Sequence, residues 1–180
     1  MSNCVVSSAD ETGVHWKGVT IMRKLALALL AAAIPYQAPA DDNEISGTYK
    51  LVSEQRKIVD TGEIVAGSGS QGFISYDKSG RMLVVLIRSP RPHPENLEKM
   101  TDQDRIELFR TTTAYSGTYK FDGKTVEHSI DISWNEYWTG TKQVRTVERD
   151  GDRITLTTPP FPFHTDGRTS VNMLTWEKVK

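Results

Sequence analysis

The sequence predicts an all-β fold: a small antiparallel up-and-down barrel of about eight strands with one short helix. Three observations lead there. Residues 46–179 break into short stretches that alternate apolar and polar side chains, as strands with one buried face do. Turn-forming groups, among them Asp77-Lys78-Ser79-Gly80, Asp122-Gly123 and Asp150-Gly151, separate several of these stretches, and such groups join antiparallel neighbours. Only the segment that opens at Thr101 carries the chemistry of a helix start.

Residues 46–53 alternate and are rich in β-formers, so they give the first strand. Gly67-Ser68-Gly69-Ser70 reads as a flexible connection. Residues 72–76 and 81–87 form a hairpin about the turn at 77–80, where Gly80 is free to take a positive φ. The second of these strands is apolar on both faces. Pro90, Pro92 and Pro94 then exclude regular structure. Thr101 is suited to cap a helix whose first turn holds Asp102 and Asp104, and Ile106 and Phe109 share one of its faces. That helix is expected to plug or flank one mouth of the barrel; the rival expectation is a mobile lid. Strands follow at 114–121, 125–133, 141–149, 153–158 and 171–179, with Pro159, Pro160 and Pro162 breaking the pattern before the last.

Composition narrows the function classes. The chain has 180 residues, 37% hydrophobic and 25% charged, which suits one globular domain. A formal net charge of −1 offers no electrostatic case for nucleic acid or an anionic membrane surface. Cys4 is the sole cysteine, so an intrachain disulfide and a cysteine zinc site are excluded. His93, His128 and His164 have no metal-ligand spacing, and there is no G-x-S-x-G elbow. No metal and no cofactor are expected.

The N-terminus carries an export signal. Met22-Arg23-Lys24 precedes the apolar run 25–34, and Ala38-Pro39-Ala40 precedes Asp41-Asp42. This is the order of a secretory signal peptide over 22–40, with cleavage expected after Ala40 and a periplasmic or secreted product. The run falls short of the roughly 20 apolar residues of a membrane span, so the mature chain should have none. Residues 1–21 lack a basic cluster and read as an extension from an upstream start codon. The barrel domain is then 41–180.

Alternation assigns the faces. On 125–133, Val126, His128, Ile130 and Ile132 share one face, and its apolar character turns it inward. Tyr115, Gly117, Tyr119 and Phe121 share a face of the preceding strand. On 141–149, Gln143, Arg145 and Val147 oppose Val144 and Thr146, and hydrophobicity alone does not choose between them. If the Gln143 face is inward, His128, Gln143 and Arg145 gather inside with the hydroxyls of Tyr115 and Tyr119. The inward faces so assigned contain no acid, and a buried Arg needs a partner; an anionic or carbonyl-bearing ligand would supply one. In the alternative, Arg145 lies in solvent beside Glu127 or Asp131. A lone inward His is usually a core residue bonded to a tyrosine or carbonyl. Trp134, Tyr137 and Trp138 either wall a pocket mouth or simply pack.

The run Gly47-Thr48-Tyr49-Lys50-Leu51-Val52-Ser53 resembles the G-T-W-x-L-V-S opening of the bacterial lipocalin-like domain family. The likeness continues through 72–82, Tyr115-Ser116-Gly117-Thr118-Tyr119, Val126-Glu127-His128, 140–145, 151–159 and Leu174-Thr175-Trp176-Glu177. Tyr49 departs from the family's usual tryptophan and adds a hydroxyl that needs a partner. The resemblance implies a barrel with a central cavity and the binding of a small hydrophobic or amphipathic molecule. It also implies that the Gln143, Arg145 and Val147 face points inward. The cavity is then expected to be lined by Tyr49, Met82, Val84, Tyr115, Tyr119, His128, Gln143, Arg145, Leu156 and Trp176. A second expectation is an isomerase or cyclase in which His128 and a tyrosine move a proton. A third is an assembly protein with a solid core, for which a large exposed apolar patch would speak.

Overall fold

A computed structural model describes residues 44–67 and 69–180. The expected signal peptide and the stretch before it lie outside the described residues. The strands are β1 (Gly47–Ile58), β2 (Ile64–Ala66), β3 (Gln71–Tyr76), β4 (Arg81–Ile87), β5 (Thr112–Phe121), β6 (Thr125–Ser133), β7 (Lys142–Asp150), β8 (Arg153–Thr157), β9 (Phe161–Pro162) and β10 (Thr169–Lys178). Helix α1 (Asp102–Arg110) lies between β4 and β5, and a single 3-10 turn (Glu136–Trp138) lies between β6 and β7.

All strand pairs are antiparallel, and β1 pairs with β10 from Tyr49↔Lys178 to Ile58↔Ser170. That seam closes β1, β3, β4, β5, β6, β7, β8 and β10 into a ring. The short β2 and β9 lie outside the ring, β2 on β1 and β9 on β10. Closure removes the unpaired edges that make open sheets prone to association.

The ring has two unlike ends. At one, tight turns join β3 to β4, β5 to β6 and β7 to β8. Gly80 takes φ +87° there, its N–H bonds the Asp77 carbonyl at 3.0 Å, and the Ser79 N–H bonds Asp77 Oδ1 at 2.6 Å. The Asp122 carboxylate likewise accepts from the Lys124 and Thr125 N–H groups at 2.9 and 2.6 Å. At the other end the strands are joined by longer connections, including the one that holds α1.

Strand parity is obeyed where the ladder is regular. On β4, Met82, Val84 and Leu86 are buried, while Leu83 and Val85 look outward half-exposed. Each buried aliphatic side chain contributes about 1.5–3 kcal/mol to folding. Two bulges shift the parity. On β1 the register slips between Leu51 and Ser53, so Val52 is the extra residue and Glu54 is brought inward. Where β5 meets β6, Ser116 faces Ile132 while Gly117 faces Ile130, so Asp131 is the extra residue. Val126, His128 and Ile130 are buried as expected. Ile132 is not: it is 66% exposed, because the bulge reverses its side. Gly117 is needed beside that bulge, since a Cβ there would lie 1.9 Å from the Ser129 carbonyl oxygen.

Helix α1 flanks the barrel and plugs nothing. Thr101 caps it in a reciprocal capping box with Asp104, and none of its residues is buried. Trp134 Nε1–H donates to the Phe109 carbonyl at 3.2 Å and ties the helix to the connection after β6.

Candidate functional site

The inward face of β7 is the one that holds Gln143, Arg145 and Val147. Val147 is buried, Gln143 and Arg145 are half-buried, and Val144 and Thr146 are exposed. The solvent alternative for Arg145 is closed: Glu127 pairs with Lys142 at 2.7 Å, and Asp131 pairs with Arg81. Arg145 instead gives Nη2–H to Gln143 Oε1 at 3.1 Å and Nη1–H to the Val144 carbonyl at 2.7 Å. Neither partner is charged, and Arg145 has no carboxylate partner among the described residues.

Inside the ring, toward the long connections, the side chains leave a cavity of about 120 Å³. Its wall takes Val84, Tyr115, His128, Arg145, Leu156 and Trp176 from among the residues expected there. Tyr49, Met82, Tyr119 and Gln143 lie away from it. Tyr49 and Met82 are buried in the core. Tyr119 donates its hydroxyl to the Asp77 carbonyl at 3.0 Å, at the tight-turn end. Gln143 acts behind the wall, on the Arg145 guanidinium. Trp138 joins the wall, whereas Tyr137 is 84% exposed. Trp134 packs edge-on against Trp138, their ring centres 4.8 Å apart.

Other wall residues escaped the sequence reading, though parity could have found several. Thr113 lies two positions from Tyr115, Arg88 two from Leu86, and Asn172 two from Leu174. Glu54 was hidden by the β1 bulge, and it corrects the expectation of an acid-free interior. Its side chain is 13% exposed, sits 3.9 Å from Arg88 Nε and accepts a hydrogen bond from the Ser70 hydroxyl.

His128 is the polar centre of the wall and is 1% exposed. Its Nε2 lies 2.8 Å from the Tyr76 hydroxyl, and its Nδ1 lies 3.1 Å from that of Tyr115. Burial, reinforced by the Arg145 charge, drives its pKa down from 6.5 to about 3. The ring is therefore neutral and carries one N–H. Burial also raises both tyrosines, and Arg145 opposes that rise. Tyr76, 2% exposed, has no other polar partner for its hydroxyl among the described residues. Its proton must go to Nε2, because otherwise a buried donor would stay unpaired. The ring proton then sits on Nδ1 and is donated to the Tyr115 oxygen. This leaves the Tyr115 hydroxyl proton without a protein acceptor, on a residue that lines the cavity. The Trp176 indole N–H is also buried without a partner among the described residues.

A second recess, of about 520 Å³, lies at the tight-turn end between Glu44, Asp77, Lys78 and Lys178. It is broadly open to solvent, and its bordering ion pair, Lys78 with Glu44, is exposed. The inner cavity, less open than this recess, is the better candidate, since desolvation gives hydrogen bonds their strength. Among the described residues no group of three or more His, Cys, Asp or Glu could hold a metal. No helix among them is long and apolar enough to cross a membrane.

Comparison with curated proteins finds no match, and neither does comparison with solved structures. A family model does match: it describes a lipocalin-like domain and aligns with residues 46–179, from the start of β1 to the end of β10. A barrel closed by its first and last strands, hollow toward one end and matched along its whole length, thus belongs to the lipocalin-like domain family.

Proposed function

We propose that this protein is an exported carrier or receptor that holds a small hydrophobic or amphipathic molecule inside its barrel. One observation carries the reading: the inner cavity, walled by apolar and polar side chains, is bordered by the Arg145 guanidinium, which has no carboxylate partner among the described residues, and by the Tyr115 hydroxyl, whose proton has no protein acceptor among them. Ligand sites have that composition, largely apolar with a few placed polar groups. Export rests on the basic, apolar and small-residue order of 22–40.

A thermal-shift screen against fatty acids, aromatic acids and neutral aromatics tests the binding. A ligand present at about 100 times its Kd should stabilise the fold by about 2.7 kcal/mol. A flat response to every class would defeat the proposal. Sequencing the N-terminus of the exported product tests the cleavage after Ala40.

The isomerase or cyclase reading draws on the same His128, which contacts two tyrosine hydroxyls and borders the cavity. Electrostatics weigh against it. A general base works best with a pKa near the operating pH, and His128 is held near 3. Turnover that disappears in His128→Ala while ligand binding persists would reverse this order of preference.

A further inference from the structure

We propose that the cavity selects a monocarboxylate of about one ring in size, with its carboxylate against the Arg145 guanidinium and the Tyr115 hydroxyl. The inference rests on the binding function proposed above and narrows it to a ligand class.

Three independent features point the same way. The first is charge. The acidic and basic wall residues are Glu54, Arg88, Arg145 and the neutral His128. Glu54 faces Arg88, which leaves Arg145 as the excess cation. Its charge is felt at Tyr76, Tyr115 and His128 alike, so it acts on the heart of the polar group.

The second is hydrogen-bond parity. With the imidazole proton on Nδ1, the Tyr115 hydroxyl proton lacks an acceptor. Arg145 adds donors and accepts nothing. Such a wall asks for an acceptor, and a carboxylate has two oxygens that only accept. Charge-assisted bonds of this kind are roughly twice as strong as neutral ones.

The third is size. An apolar cavity of about 150 Å³ is known to take benzene, and this one measures about 120 Å³. Pockets for larger ligands run to about 300–1,000 Å³. One ring or a short branched chain fits within it; a long acyl chain would have to extend out through its partly open mouth.

The test is calorimetric titration of the purified protein with benzoate, benzamide, toluene and laurate. Benzoate is expected to bind at least about tenfold more tightly than benzamide or toluene, the margin of one charge-assisted hydrogen bond. Arg145→Gln is expected to erase that margin, and Tyr115→Phe to reduce it. Equal affinity for benzoate and its neutral analogues would overturn the carboxylate assignment and leave cavity binding standing. Tighter binding of laurate than of benzoate would overturn the size assignment. Toluene binding without any benzoate binding would also refute the proposal. Silence from all four probes, with no ligand emerging from the thermal screen, would defeat both this inference and the function beneath it. The probes are compared on the unaltered protein, so the test holds even where a variant fails to fold.

Discussion

At the tight-turn end of the barrel, Tyr76 meets Tyr119 edge to face with ring centres 4.8 Å apart, and Tyr49 closes on Tyr76 at 6.5 Å. At the long-connection end, about 120 Å³ stays open between Val84, Leu156, Trp176 and their neighbours. Both ends belong to one ring with one strand count. Closing a small sheet therefore does not decide whether its interior is solid or hollow. The side chains decide it, and here aromatic rings fill one end and stop at His128.

The comparison breaks most severely at His128, which bonds Tyr76 on one side and Tyr115 on the other. Unfolded, this histidine takes up a proton near pH 6.5; folded, it resists until about pH 3. Between those values unfolding binds a proton, so stability is highest above pH 6.5 and falls as the pH drops. The loss approaches about 1.4 kcal/mol per pH unit, roughly 5 kcal/mol across the window. Urea denaturation as a function of pH measures it, and His128→Gln should flatten the slope. An unchanged slope in that variant would show that other groups set the acid sensitivity.

A finer contrast lies between the two tyrosines. Tyr76→Phe leaves buried Nε2 with no donor and is expected to cost about 2 kcal/mol. Tyr115→Phe is expected to cost under about 1 kcal/mol, since water in the cavity can accept from Nδ1–H. Denaturation midpoints rank the pair, and equal losses would mean that the cavity offers the imidazole no relief.

A third contrast, smaller than that of Tyr76→Phe, comes from adding one methylene at each kind of site. Val126 is 0% exposed and lies outside the cavity wall. Val126→Leu should cost about 1–2 kcal/mol by overpacking. Val84 borders the hollow, and Val84→Leu should stay within about 0.5 kcal/mol of the parent. Similar losses at both positions, read from thermal midpoints, would argue that the cavity is not real free volume.

Much of the fold was legible because alternation and turn chemistry agreed. Met82, Val84 and Leu86 could be turned inward from parity alone, and Thr101 announced its helix as an N-cap ahead of Asp102 and Asp104. The family resemblance pointed the Gln143 face of β7 inward, which hydrophobicity could not do. What stayed hidden was each place where the period of two is interrupted. A bulge has no reliable residue signature, so Ile132 was turned inward and Glu54 was missed. The cavity's extent was also unreadable. Parity places Tyr49 and Val84 alike on the inner surface, but which end is filled depends on how rings from different strands meet in space.

The seam between β1 and β10 joins the opening and closing segments of the domain. Contacts so distant in sequence are slow to form, because a long loop must be ordered before they reward it. Until Thr169–Lys178 has been synthesised and docked, β1 keeps an edge bare along the stretch from Tyr49 to Ile58. A chain cut short before this last segment would not be a slightly smaller vessel. It would be an unsealed sheet with two raw margins, open to pairing with its own kind.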